Sequence, residues 1–139
     1  WHLLDDPAHA GVHRLVTDLN AFYREHRAMW SLDHVPEGFE WIDSGEADLN
    51  VLSFLRKGDD GSLVAVVVNF AGVPHEGYRL ALPRAGEWRE AVNTDAEVYG
   101  GSGVGNLGKV VAEEVPHKGR PASATLRVPP LGTLFLTPG

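Results

Sequence analysis

Gly103, Gly105 and Gly108 fall at the spacing G-x-G-x-x-G. That spacing holds a pyrophosphate only where a strand leads into it and a helix opens after it, so that the helix N-terminus faces the phosphates. Here Lys109-Val110-Val111-Ala112 follows, a strand-forming run that reaches Pro116. Gly103, Gly108 and Lys109 also match P-loop spacing, but Val110 stands where Ser or Thr would hold magnesium. A Gly-rich surface loop over 100–108 accounts for these residues better. His9 and His13 are four apart, a metal-binding spacing on a helix, yet Ala10 takes the place of the glutamate of H-E-x-x-H and no third ligand is near in sequence. They read as solvated histidines. Ser53, Ser62, Ser102 and Ser123 lack a G-x-S-x-G context, so a serine nucleophile is not supported.

Carboxylates and aromatics are harder to set aside. Glycoside chemistry needs two carboxyl groups about 5–9 Å apart, and spacing leaves open whether Asp43, Asp95, Glu97 or Glu113 pair. Nothing singles out two of them, and solvated or turn-forming acids are the plain alternative. Trp1, Trp30, Trp41, Trp88 and Tyr99 offer flat faces on which the C–H groups of a sugar stack. Trp41 lies in an alternating run and reads as core. Trp88 follows a Pro-Arg-Ala-Gly-Glu turn and Tyr99 precedes Gly100-Gly101, so these two are the candidates for a ligand-facing role.

Two kinds of element must position these residues. Val12, Leu15, Val16, Leu19, Phe22 and Tyr23 recur at helical spacing, which predicts an amphipathic helix over about 8–26. Asp5, Asp6 and Pro7 ahead of it suit a helix start. From Gly38 on, short runs bounded by Gly, Pro or Asn predict strands: 39–43, 51–56, 63–70, 78–82, 88–92, 110–115, 124–128 and 133–137. Gly58-Asp59-Asp60-Gly61 predicts a hairpin, and Leu63 to Val68 is rich enough in β-branched residues for a central strand buried on both faces. No strand–helix alternation follows, so the expectation is an all-β sandwich preceded by a helix. We expect the sandwich to be the stable unit and the helix to be loosely docked on it.

The chain has 139 residues, no cysteine and a formal net charge of −7. A disulfide framework and a Cys-ligated metal are excluded. No basic stripe is present, which argues against nucleic acid as a partner. The longest apolar run is far shorter than the ~20 residues that cross a bilayer, so no membrane association is expected. Absence of cysteine fits a reducing, cytoplasmic setting. The first residue is Trp1, not Met, and 1–6 reads like internal sequence, so a segment of a longer protein without a signal peptide is expected.

Particular residues carry the reading further. Trp1-His2-Leu3-Leu4-Asp5 followed by Gly11 to Asn20 resembles the segment that closes the barrel of bacterial glycogen (1,4-α-glucan) branching enzymes. Phe39 to Asp43, Val51 to Arg56 and Val67-Val68-Asn69-Phe70 are similar to their next strands. Asn93-Thr94-Asp95-Ala96-Glu97-Val98-Tyr99-Gly100-Gly101-Ser102 with Gly105-Asn106 resembles the most specific late motif, and Pro129 to Leu134 the final hairpin. The resemblance implies a member of the α-amylase superfamily, glycoside hydrolase family 13. It implies residues 1–36 as the end of a catalytic (β/α)8 barrel with its last helix, and residues 37–139 as a C-terminal antiparallel β-sandwich of Greek-key type. The parent reaction it implies is retaining: an α-1,4 linkage is cleaved and the chain passed to a 6-hydroxyl, giving an α-1,6 branch. The implied partners are an α-glucan, such as glycogen or a maltooligosaccharide, and the upstream barrel. The catalytic carboxylates of that family lie upstream of the matched segment, so no catalytic residue transfers here, no cofactor or metal is implied, and this segment alone is expected to be inactive. A stand-alone carbohydrate-binding module and the C-terminal domain of another superfamily member are the alternatives.

Overall fold

A computed structural model describes residues 1–45 and 47–139. The polar break at 44–50 contains Glu46, which lies outside the described residues. One α-helix, α1 (Pro7–Glu25), precedes eight strands: β1 (Phe39–Asp43), β2 (Val51–Lys57), β3 (Leu63–Asn69), β4 (His75–Leu82), β5 (Gly86–Asn93), β6 (Lys109–Ala112), β7 (Ala122–Val128) and β8 (Thr133–Pro138). The Asp6 side chain accepts from the Ala8 N–H and Pro7 occupies the first turn, so α1 begins where the acidic pair and proline predict.

Six strands form one antiparallel sheet in the order β1-β2-β3-β8-β5-β6, and β4 pairs with β7 in a second. The chain leaves the large sheet only for β4 and β7, and β8 returns between β3 and β5, so the sandwich is not an up-and-down meander. β3 lies inside the large sheet as its β-branched run predicts. Ala65 and Val67 face the inter-sheet core while Val64 and Val66 face the other side, and all four are buried. The Gly58–Gly61 turn joins β2 to β3 in register from Lys57 opposite Leu63 to Val51 opposite Asn69. The core between the sheets joins Leu55, Trp88, Leu134 and Leu136 of the large sheet to Tyr78, Leu80, Leu82 and Leu126 of the small one.

The outer face of the large sheet carries α1. Phe22 and Leu19 join Val64, Val66, Val92 and Phe135 in a second apolar cluster, with the Phe22 and Phe135 rings 5.3 Å apart. Arg27 follows the helix and holds Asp59 in the β2–β3 turn through both Nε and Nη2. Arg56 of β2 reaches back to the Ala28 and Met29 carbonyls and pairs with Asp33. Together with the close approach of Gly11 to the Tyr99 carbonyl, these ties seat α1 on the sheet; α1 itself gives Phe22 and Leu19 to the second cluster, and Ala28 and Met29 follow it.

Trp41 also departs from expectation. It pairs with Phe54 across β1–β2 on the outer face, beyond the reach of α1, and is 50% exposed. A bulge between Trp41 and Asp43 turns Ile42 and Asp43 inward in its place.

Candidate functional site

Trp88 is fully buried. Its indole sits in the inter-sheet core, and its N–H donates to the Arg84 carbonyl at 3.2 Å. It has no face to offer a sugar, which corrects the expectation of a ligand-facing Trp88. The turn before it positions the ring, but β5 pairing fixes its direction: Trp88 lies opposite Val110 and Pro138, pointing inward.

Tyr99 is placed differently. Residues 97–99 form a single 3-10 turn closed by Gly100 at φ 87°, a left-handed conformation that favours glycine. The loop beyond it is a bonded unit. The Asp95 carboxylate accepts from the Ser102 N–H, the Ser102 hydroxyl and the Val104 N–H. Asn93 donates to the Val104 carbonyl and accepts from the Asp95 N–H. Glu90 holds Asn106 through its backbone and side-chain nitrogens, and Asn106 bonds both the Arg127 carbonyl and N–H. The Gly-rich stretch therefore fixes the position of Tyr99 and contains no phosphate cradle. Asp95 is consumed by this frame, Asp43 by Lys118 and the Gly45 N–H. Neither is left as half of a catalytic pair. His9 and His13 are exposed, and among the described residues no group of three His, Asp or Glu could hold a metal ion.

The Tyr99 hydroxyl donates to Asp18 Oδ2 of α1 at 2.7 Å. Burial first, then this bond and the Asp18 charge, push the phenol up to about 12. The pair stands at the mouth of a cleft of about 220 Å³ between α1 and β5. Phe22, Ala91 and Val92 make its apolar part; Asp18, Glu25, His26 and Arg89 supply polar groups. Sequence reasoning singled out Tyr99 but not Asp18, Glu25 and Arg89, because these are ordinary surface residues until the helix is laid beside β5.

A second surface lies on the other side of α1. Since Asp18, Ala21 and Glu25 line the cleft against β5, the opposite flank of the helix turns away from it. That flank carries Val12, Val16 and Tyr23, which are 60%, 52% and 46% exposed. On the sheet, the rings of Phe39, Trp41 and Phe54 pack on one another with centroids 5.0–6.1 Å apart and form an exposed aromatic cluster on the β1–β2 wing.

Residues 41–139, the whole of the sandwich from mid-β1 onward, match the family model described as the alpha amylase C-terminal all-beta domain. The chain belongs to this family. Within the alpha amylase C-terminal all-beta family its similarities are specific. It is 57% identical over 139 residues to the 1,4-alpha-glucan branching enzyme GlgB of Mycobacterium tuberculosis, covering 99% of this chain and 19% of that protein. It is 56% identical over 139 residues to the branching enzyme of the same name from Leifsonia xyli subsp. xyli, covering 100% and 19%. The Rhodococcus jostii protein of that name is 55% identical over 141 residues, covering 99% and 19%. The chain thus spans about a fifth of the length of the curated relatives it matches. Among the described residues, no helix is long and apolar enough to cross a membrane.

Proposed function

We propose that this chain is the C-terminal part of a cytoplasmic 1,4-α-glucan branching enzyme and that it braces the catalytic barrel without taking part in the chemistry. In this reading residues 1–36 end the barrel, α1 is its last helix, and residues 37–139 form the sandwich that clamps that helix. The observation that carries the proposal is that α1 is apolar on two sides. Leu19 and Phe22 are satisfied by the sandwich, while Val12, Val16 and Tyr23 remain exposed. A helix with so wide an apolar surface packs on a second body, and the matched relatives extend far beyond the segment this chain covers. The substrate would be an α-glucan. The upstream barrel would cleave an α-1,4 bond and pass the chain to a 6-hydroxyl through the paired-carboxylate double displacement of retaining enzymes.

Branch formation is followed by the fall in iodine colour of amylose. The isolated chain is expected to form no branches; branching by the 139 residues alone would sink the proposal. In the longer protein, Val12→Asp with Val16→Asp is expected to lower the melting temperature and activity together. Full activity and unchanged melting in that double variant would remove the bracing role.

A further inference from the structure

We infer that the cleft between α1 and β5 is a non-catalytic α-glucan subsite that holds one glucosyl unit of a passing chain. The inference rests on the branching-enzyme reading for the identity of the sugar, and on the cleft itself for the claim that a neutral polyol binds there.

Tyr99 and Asp18 satisfy one another across the cleft, but two other polar side chains there do not. Arg89, on the outer face of β5, and Glu25, on α1, line the same cleft, yet neither side chain makes a hydrogen bond or ion pair among the described residues. Asp18 uses Oδ2 for the Tyr99 hydroxyl and for Arg14 at 3.5 Å, which leaves Oδ1 as an acceptor. His26 donates its Nδ1–H to the Phe22 carbonyl at 2.9 Å, which leaves Nε2 for a ligand. The cleft thus presents a forked donor and several acceptors around an apolar strip of Phe22, Ala91 and Val92.

Charge decides the ligand class. Asp18 and Glu25 repel an anion that Arg89 alone would attract, and Arg89 opposes a cation drawn by the carboxylates. A neutral ligand with adjacent hydroxyls suits both: each hydroxyl donates to a carboxylate and accepts from the guanidinium, while the C–H face of the ring lies on the apolar strip. Size narrows it further. About 220 Å³ is below the ~300–1,000 Å³ of pockets that enclose drug-sized ligands, so the cleft takes a single ring of a chain that enters and leaves through its open mouth. Tyr99 fixes Asp18 and one wall. Arg89 acts directly on the ligand.

The test is a nuclear magnetic resonance titration of the 139-residue chain with maltoheptaose, using a β-linked cello-oligosaccharide as control. Saturable shifts are expected at the amides of Arg89, Ala91, Tyr99 and the second half of α1. Arg89→Gln and, separately, Glu25→Gln should each weaken the affinity roughly tenfold, about 1.4 kcal/mol, with thermal unfolding unchanged because both side chains are exposed. Retardation of the longer enzyme in glycogen-containing native gels should fall in the same two variants. Shifts centred on Trp41, binding undiminished in both variants, or no saturable shift would each overturn the subsite. A parent that still forms branches under those outcomes leaves the branching-enzyme reading standing; a parent that forms none removes that reading instead.

Discussion

Gly11 of α1 lies against the carbonyl of Tyr99: a Cβ placed at Gly11 would stand 2.5 Å from that oxygen. The helix and the Asn93–Ser102 motif are therefore seated on one another at a point where only glycine fits, and helix propensity does not explain the choice. Alanine is the better helix former by about 1 kcal/mol, so sequence propensity alone favours Gly11→Ala. The steric contact with backbone reverses the sign. Gly11→Ala is expected to destabilise by about 1–2 kcal/mol and Gly11→Val by more, read by urea unfolding. A stabilised Gly11→Ala protein would mean that the helix does not close on Tyr99.

Burial of the Tyr99 phenol, with its bond to Asp18, sets a limit at high pH. The folded phenol titrates near 12, above its ordinary 10.0, so the folded state holds this proton more tightly than the unfolded state does. The resulting stability is complete below about 10 and is lost as pH rises toward 12. Tyr99→Phe should cost about 0.5–1 kcal/mol at neutral pH and flatten the alkaline limb of a stability–pH curve. An unchanged limb would show that the folded state does not hold the phenol above its ordinary value in solution.

At low pH the edge strand gives way first. Lys57 and then Arg120 hold the Glu40 carboxyl below its ordinary 4.5. Burial works against the Asp43 carboxylate, but Lys118 and the Gly45 N–H outweigh it and bring it below its ordinary 3.8. For a lowered carboxyl the stability is present above the ordinary value and is lost as pH falls through the folded one. Unfolding on acidification below about 4.5 is expected to begin with loss of β1 from the β6–β7 loop. Glu40→Gln should remove about 0.5–1 kcal/mol at pH 7, in the range of partly exposed pairs, and make the acid limb shallower. Hydrogen exchange at β1 amides between pH 3 and pH 6 checks it.

Trp88 and Trp41 should separate cleanly. Trp88→Ala empties the centre of the inter-sheet core and is expected to cost about 3–5 kcal/mol. Trp41→Ala removes a half-exposed ring from the aromatic cluster and should cost under about 1.5 kcal/mol in the isolated chain. In the longer protein, Trp41→Ala should cost more if the β1–β2 wing is covered there. Equal costs for the two variants in the isolated chain would mean the sandwich is packed differently.

Periodicity made much of this architecture legible. The β-branched run of β3, the Gly58–Gly61 turn and the heptad-like apolar stripe of α1 each satisfy a local rule, and the elements appear within a residue or two of expectation. β4 and β6 are the exceptions: β4 starts at His75, ahead of Tyr78 and across a register shift, and β6 ends at Ala112, not near Val115, because Glu113 already bridges to Ser123 as the chain leaves the large sheet. What alternation cannot reveal is which face of a strand meets the core. Phe39 and Trp41 share a face, Glu40 and Ile42 the other, and only the limited reach of α1 leaves the aromatic face outside. For Trp88 the nearby turn suggested a loop role, and β5 register overruled it. The polar cleft was invisible for a different reason: Asp18 and Arg89 have no local signature, and only the crossing of helix and sheet makes them neighbours.

The four tryptophans occupy very different surroundings, from Trp88 with no exposed area to Trp1 at 93%, with Trp41 between them and Trp30 lying under the Arg27 guanidinium at 4.8 Å. The chain consequently carries its own optical probes. Blue-edge emission, shielded from iodide, belongs to Trp88 and reports the sandwich interior. Red-edge, quenchable emission belongs to Trp1 and Trp41. A second body seated on the β1–β2 wing would shift Trp41 toward the blue without disturbing Trp88, so colour alone distinguishes burial of that wing from folding of the sandwich.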